Sequence, residues 1–248
     1  MSEETPVVVS PGVVTVVTLN RPEVGNRVDG PILERLADLF EQIAENVTVR
    51  VVVVRGAGES FCTGREPGHA LGTRPSAWRL RSDLSKLVRA NQALQQLPAV
   101  TIAAVQGDAL GFGCGLAIQC DLTVASKQAR FSFPEINAGL PPTVVMNYLG
   151  HFIPRKMALE MVLTGETYSA AVCQRLGLVN RVVEHEDLDG EVERLASSII
   201  EKDPVTARTS KQFFGELYNG QFADRTNYAI NLLATTLTYD GTTDSGVE

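Results

Sequence analysis

The sequence predicts an α/β fold, with a core of strand–helix units and a helical layer toward the C-terminus. Two β-branched runs, residues 7–9 and 13–19, flank a Pro-Gly pair, which is typical of a β-hairpin. Two continuous apolar runs, residues 51–54 and 101–105, are typical of strands that are buried on both faces of a sheet. Strands that alternate with helices and are followed mainly by helices favour this fold class.

The helices are predicted from apolar residues that recur three and four positions apart. The first begins at Pro31 and continues to Ile43, and the second covers residues 80–94 and ends before Pro98. Residues 61–76 are rich in glycine and proline and lack a period, so they are predicted to form a loop. The remaining elements are strands at residues 121–125, 130–133 and 178–183 and helices at residues 143–152, 154–163, 169–175, 187–201, 204–216 and 221–237.

Composition and charge argue against several classes of function. The 248 residues carry 22 basic and 29 acidic side chains, a formal net charge of −7, and no basic run, so no nucleic acid is expected as a partner. No apolar stretch reaches about 18 residues, and the N-terminus shows no secretory signal. No membrane contact is therefore expected, and the cytoplasm is the predicted location. No metal is expected, because the cysteines and histidines lack ligand spacing: Cys62, Cys114, Cys120, Cys173, His69, His151 and His185.

Two segments with the same layout are candidates for the chemistry. In each, a buried strand leads to a sharp turn that contains glycine: residues 61–65 after the first strand and Gly111-Phe112-Gly113 after the second. Glycine permits positive φ and lets a ligand approach the main chain, and the second turn opens a helix whose free N–H groups favour negative charge. Brought together, two such turns would direct two backbone donors at one oxygen. The spacing alone is equally compatible with ordinary connections between strands and helices.

Glu135 is the candidate general acid or base. It directly follows the predicted strand at residues 130–133 and is fixed by the preceding Pro134. The apolar residues Ile136 and Leu140 are expected to raise its pKa by reducing its contact with water. Taken alone, the residue is also compatible with a solvated turn.

Together these segments resemble the enoyl-CoA hydratase/isomerase, or crotonase, family, in the family's order and over nearly the whole chain. The resemblance rests on residues 18–23, 52–64, 102–107, 109–111, 120–121, 134–135, 161–166 and 176–183. It implies an α/β crotonase (ClpP/crotonase-like) spiral of repeated ββα units with two sheets, in which residues 1–190 form a core that holds an acyl-CoA site. Residues 191–248 are implied to be a C-terminal helical trimerisation region that packs on the core and on a neighbouring subunit.

The resemblance implies an oxyanion hole made from two main-chain N–H groups. The first belongs to Arg65, directly after Gly64, and the second to Phe112, directly after Gly111. Family members usually carry glycine where Phe112 stands. Any residue other than proline keeps the N–H group, so the expected effect of the phenyl ring is a narrower acyl pocket.

The resemblance also bears on the reaction. Hydratases of the family use two glutamates; the second matches Glu135, whereas the first falls at Gly115, which has no side chain. Thr143 stands where some relatives carry an alternative acid, and its hydroxyl could only orient a group. One carboxylate can move a proton between the α and γ carbons of an enoyl-CoA, so isomerase-type proton transfer is expected. The alternatives are a hydratase or lyase acting on an unusual acyl group and a catalytically silent CoA-binding member.

Three other side chains are expected near the substrate. Arg27 and Arg65 fall in segments that line the coenzyme and acyl entrance in relatives, although Arg65 could instead face solvent or pair with Glu66. Trp78 is expected to wall the acyl pocket or to be ordinary packing. No cofactor is expected to be bound permanently, since the substrate is carried as a coenzyme A thioester, and a homotrimer or a hexamer built as a dimer of trimers is expected. Residues 244–248 resemble the lead-in to the family's last helix, so fewer coenzyme contacts are expected if the chain stops there.

Overall fold

The structure, a computed structural model, describes residues 5–66 and 77–216, with residues 77–80, 147 and 216 described through their backbone. These residues contain two sheets and the helices around them. The strands are β1 (Val7–Ser10), β2 (Val14–Leu19), β3 (Val51–Gly56), β4 (Val100–Val105), β5 (Asp108–Leu110), β6 (Leu122–Ser126), β7 (Arg130–Ser132), β8 (Tyr168–Ser169) and β9 (Arg181–Val183). The α-helices are α1 (Gly30–Glu45), α2 (Ala77–Gln95), α3 (Phe112–Gln119), α4 (Thr143–Phe152), α5 (Arg155–Thr164), α6 (Ala170–Leu176), α7 (Leu188–Ile200) and α8 (Pro204–Glu216). Short 3-10 helices occur at Pro22–Val24, Pro134–Ala138 and His185–Asp187.

The larger sheet has six strands in the order β1-β2-β3-β4-β6-β9. β1 and β2 form the predicted antiparallel hairpin, and each later neighbour is parallel to the one before it. The smaller sheet has the order β5-β7-β8, with β5 parallel to β7 and β8 antiparallel to it. The described part of the chain therefore contains two sheets, as the resemblance implied.

The core lies on both faces of the larger sheet. Val52 and Val54 of β3 pack in one buried cluster with residues of α1, including Leu36. Val51 and Val53 point to the other face, where the buried side chains of α7 cover them. The alternation along β3 explains why its sequence is continuously apolar, since each face of the strand meets a helix.

A polar contact joins α8 to the edge of this core. The Lys211 ammonium on α8 lies 2.7 Å from a carboxylate oxygen of Asp121 and donates to the Ala99 carbonyl at 2.8 Å. The same Asp121 carboxylate accepts from the N–H and the hydroxyl of Thr101. The last described helix is thus fixed to the beginning of β4 and to the residue before β6.

Most of the predicted elements are confirmed, with four differences. β8 was not predicted, because its two residues, Tyr168 and Ser169, are too few to show a strand period before α6. β5 was not predicted, because its three residues lie inside the glycine-containing segment. β7 ends at Ser132, one residue early, because Phe133 precedes a proline and lies outside the ladder. β9 begins at Arg181, because Gly177 (φ +90°) ends α6. The predicted helix at residues 221–237 and most of the predicted loop lie outside the described residues.

Within residues 5–66 and 77–216, no helix combines the length and apolar character needed to cross a membrane. Over the same ranges, no three His, Cys, Asp or Glu side chains cluster as metal ligands would.

Candidate active site

The first glycine turn is held by strand-like pairing on two sides. The N–H of Cys62 donates to the Asp108 carbonyl at 3.0 Å, and the N–H of Leu110 donates to the Cys62 carbonyl at 2.9 Å. Two residues later, the N–H of Val28 donates to the Gly64 carbonyl at 3.0 Å. The turn therefore lies between β5 and the segment that precedes α1.

These pairings leave the main-chain N–H of Arg65 facing away from the neighbouring segment at Val28. The Val28 N–H bonds the residue before Arg65 and the Val28 carbonyl bonds the N–H of Glu66, so Arg65 itself uses neither main-chain group on that side. Among the described residues, no acceptor takes the Arg65 N–H. Gly64 precedes it with φ +109°, and a Cβ there would lie 3.3 Å from the Leu110 carbonyl oxygen. This backbone conformation requires glycine.

The second turn joins β5 to α3. Gly111 is the N-cap of α3 with φ +54°, and its N–H donates to the Ser132 carbonyl at 2.9 Å. Phe112 is the first helical residue, so its N–H is one of the amides that lack an intrahelical partner. The Phe112 ring is buried in the main core. The N–H of Phe112 thus stands at the positive end of a helix dipole.

The structure brings the two turns and the candidate carboxyl together. A Cβ built on Gly111 would lie 2.8 Å from Oε1 of Glu135 and 3.9 Å from the Cα of Gly64. Gly113 is in closer contact still, because a Cβ there would come within 3.0 Å of the Cys62 carbonyl oxygen, which real Cβ atoms essentially never do. Glycine at both positions therefore allows the second turn to pack directly against the first.

Glu135 lies in the 3-10 helix that follows β7 and is half-buried. Its Oε2 is buried and has no hydrogen-bond partner among the described residues. Burial raises the pKa of Glu135 above its usual range, and a hydrogen bond from its own backbone opposes that change. Leu140 is 58% exposed, and its N–H donates to the Glu135 carbonyl at 3.0 Å. The structure places Tyr148 and Cys114 close enough for the Glu135 charge to raise the pKa of both groups.

Tyr148 is the residue of the site that sequence reasoning missed. It lies on α4, is 8% exposed, and places its hydroxyl against Gly115: a Cβ there would come within 3.0 Å of the phenol oxygen. Burial raises the pKa of Tyr148 well above its usual value, and the neighbouring Cys114 and Glu135 raise it further. In the sequence, Tyr148 belongs to a helical row with the buried Val145 and Leu149, so nothing distinguished it from ordinary core.

The other predicted site residues are more dispersed. Thr143 is exposed at the first position of α4, and no described contact joins it to the two turns. Arg27 is exposed beside the first turn, where its Nε donates to the Thr63 hydroxyl at 3.4 Å. Glu66 pairs with Arg21 at 2.7 Å rather than with Arg65, so that alternative is wrong. The side chain of Trp78 lies outside the described residues.

Fold and site together define a class: an α/β protein with a parallel sheet, two glycine turns in contact, and a partly buried carboxyl beside them. The chain belongs to the enoyl-CoA hydratase/isomerase family, whose model matches residues 10–244. The predicted crotonase fold is confirmed, because an enoyl-CoA hydratase from Mycobacterium smegmatis superposes with a TM-score of 0.92 at 33% identity, over 96% of this chain and 93% of that one.

Two further relatives show the range of the likeness. The chain is 34% identical to the short-chain-enoyl-CoA hydratase of Clostridium acetobutylicum over 203 residues, which cover 81% of this chain and 77% of the relative. A structure of a protein from Thermobifida fusca assigned as an enoyl-CoA hydratase, in complex with CoA, has a TM-score of 0.85 at 27% identity over 94% of this chain and 93% of that one.

Proposed function

We propose that this protein is an enzyme that stabilises the enolate of an acyl-CoA thioester and transfers a proton between the α and γ carbons of an enoyl group. The observation that carries the proposal is that one carboxyl is present and a second is absent: Glu135 lies against Gly111, whereas Gly115 has no side chain. Membership of the family supports acyl-CoA chemistry, and the CoA complex of the Thermobifida fusca relative supports a coenzyme A thioester as the form of the substrate.

The oxyanion is assigned to two main-chain donors. The N–H groups of Arg65 and Phe112 have no acceptor among the described residues and belong to turns that pack directly together. When the α carbon loses its proton, negative charge moves to the thioester oxygen, and preorganised donors stabilise it without having to reorient. The dipole of α3 adds to this stabilisation at the Phe112 end.

The transfer of the proton is assigned to the carboxyl group of Glu135. In its ionised form the carboxylate takes a proton from the α carbon of a β,γ-unsaturated thioester, which leaves a dienolate. The same carboxyl then returns that proton to the γ carbon, and the double bond moves to the α,β position. The raised pKa of Glu135 suits this exchange, because a base that is too weak cannot remove the proton and one that is too strong cannot return it.

Other parts of the proposal concern binding and assembly. The exposed guanidinium of Arg27 lies beside the first turn, where it is suited to a phosphate of the coenzyme. No permanently bound cofactor is required, since the thioester activates its own α carbon. We propose a homotrimer or a hexamer formed from two trimers on the basis of the family resemblance.

Hydration of an α,β-unsaturated acyl-CoA is a second candidate. The relatives favour it, because the Clostridium acetobutylicum protein is a short-chain-enoyl-CoA hydratase and a 34% identical protein from Thauera aromatica is an (E)-benzylidenesuccinyl-CoA hydratase. Hydration requires a water molecule to be positioned and deprotonated while the α carbon is protonated. Among the described residues, Glu135 is the carboxyl that contacts Gly111 of the second turn, so both tasks would fall on this single group.

Product analysis distinguishes the two candidates. A 3-enoyl-CoA and a 2-enoyl-CoA are each incubated with the protein, and the products are followed by mass spectrometry. Isomerisation conserves mass, whereas hydration adds one water. We expect the 3-enoyl-CoA to be converted to its conjugated isomer faster than the 2-enoyl-CoA is hydrated; the reverse order would favour the hydratase, and binding without either product would favour a catalytically silent protein.

Replacement of the carboxyl tests the role of Glu135. Glu135→Gln is expected to lower kcat by about 10²–10⁴-fold, because the amide keeps the shape but cannot take the proton. Glu45→Gln, an exposed substitution at the end of α1, is the matched control. If Glu135→Gln turned over at a rate close to that of the control, the proposed mechanism would be wrong.

A further inference from the structure

The position that lacks a side chain is not vacant. The Cβ that any other residue would place at Gly115 falls within 3.0 Å of the Tyr148 hydroxyl oxygen and 3.7 Å from the ring carbon that carries it. Only the oxygen conflicts, since 3.7 Å is ordinary van der Waals contact. A side chain at position 115 and the hydroxyl of Tyr148 therefore exclude each other.

Both partners of this contact are held in place by their surroundings. Tyr148 lies between the buried Val145 and Leu149 on α4, so its ring is packed among core side chains. The Gly115 carbonyl accepts from the Gln119 amide at 3.1 Å, and the Gly115 N–H donates to Gly111. Neither group can withdraw without disturbing a packed helix.

The chemistry of a phenol differs from that of a carboxylate in the same place. A phenol with a raised pKa keeps its proton at neutral pH, so it can donate a hydrogen bond but cannot take a proton from water. The addition of water forms a bond from oxygen to the β carbon and releases a proton that some base must accept. Glu135 can accept one proton, but the Tyr148 hydroxyl gives it no help as a second base.

We infer that Tyr148 is a specificity-determining residue, whose hydroxyl takes the place of the side chain that Gly115 lacks and directs the site toward proton transfer and away from water addition. This inference rests on the proposed function and assigns its selectivity to one contact. It predicts that the phenol and a carboxylate at position 115 are alternatives, and that exchanging one for the other changes the reaction.

The claim that a side chain at position 115 and the Tyr148 hydroxyl exclude each other is tested by a double-mutant cycle. The cycle measures melting temperature and needs no substrate. Gly115→Ala is expected to lower Tm by about 4 °C, because its methyl group overlaps the phenol oxygen. In the Tyr148→Phe background the same substitution should lower Tm by much less, since the oxygen is gone. Strictly additive shifts would overturn the inference.

The functional part compares Tyr148→Ala with the double variant Tyr148→Ala/Gly115→Glu. The double variant is expected to raise the ratio of hydrated to isomerised product by about tenfold or more over the wild type, since it exchanges a phenol for a second base, and Tyr148→Ala separates the effect of losing the phenol alone. A ratio that stays within about twofold would overturn the directing role of Tyr148. Wild-type protein that neither isomerises nor hydrates any enoyl-CoA would overturn the proposed function and this role with it, while the Tm cycle still decides whether the two groups exclude each other.

Discussion

The two turns that meet at Glu135 are built in different ways. The turn at residues 61–65 is extended backbone whose main-chain groups pair with β5 on one side and with Val28 on the other. The turn at residues 111–113 begins a helix and is positioned mainly by close contact, with Gly113 against the Cys62 carbonyl. Hydrogen bonds hold the first turn in place, whereas close packing that only glycine permits holds the second mainly in place.

The largest effect is expected at Gly113, where the absence of a side chain lets the second turn pack against the first. Gly113→Ala places a methyl group within 3.0 Å of backbone atoms, which cannot rotate away as a side chain could. We expect it to lower the free energy of unfolding by about 3 kcal/mol, measured by chemical denaturation. Gly150→Ala is the control, because among the described residues no atom beyond the neighbouring helix backbone lies within 4 Å of its Cβ; in the last turn of α4 it should raise stability by up to about 1 kcal/mol. Equal effects at the two positions would contradict this account of the second turn.

A smaller effect, confined to catalysis, is expected from removing the second donor. Proline is accepted at the first position of a helix, so Phe112→Pro should leave α3 intact while deleting its first N–H. We expect kcat to fall by about 10²–10³-fold relative to Phe112→Leu, which also loses the ring but keeps the N–H. Circular dichroism and Tm of the two variants check that the fold is retained. Comparable kcat values would show that the second turn supplies no donor to the reaction.

The smallest effect concerns Glu135, whose carboxyl contacts the second turn. It is a change in how the stability of the protein depends on pH. Burial raises the pKa of Glu135 above the ordinary 4.5, so its ionisation opposes folding. The wild type should therefore lose stability relative to Glu135→Gln as pH rises from 4.5 through the raised pKa, and the difference should then level off. Tm of both proteins, measured across this range, checks the sign. A difference that moved in favour of the wild type with rising pH would place the carboxyl in a solvated or cation-paired setting.

The sequence predicted those parts of the structure that depend on local patterns. The valines of β3 and the helical spacing of α1 identified the layers, and the glycines at 64 and 111 identified turns that the structure gives positive φ. The ladder through β5 escaped notice because three residues next to glycine carry too little periodicity to separate strand from turn.

The position of the Tyr148 hydroxyl could not be predicted from local sequence patterns. The contact between Gly115 and Tyr148 joins residues 33 positions apart in the chain, and a tyrosine in an apolar helical row predicts only burial. The absence of a carboxylate at Gly115 was visible in the sequence, but what replaces it depends on how α4 packs against α3. That depends on tertiary structure.

Lys211 contacts Asp121 and the Ala99 carbonyl, and Asp121 also accepts from the Thr101 hydroxyl, so α8 is linked to the beginning of β4 and to the residue before β6. Because the ammonium and the carboxylate are each partly shielded from water, separating them would leave both short of partners. Detachment of α8 therefore carries a free-energy penalty at the beginning of β4 and at the residue before β6. We therefore expect α8 and these two strands of the larger sheet to behave as one cooperative unit, so disruption of α8 would be transmitted into the sheet.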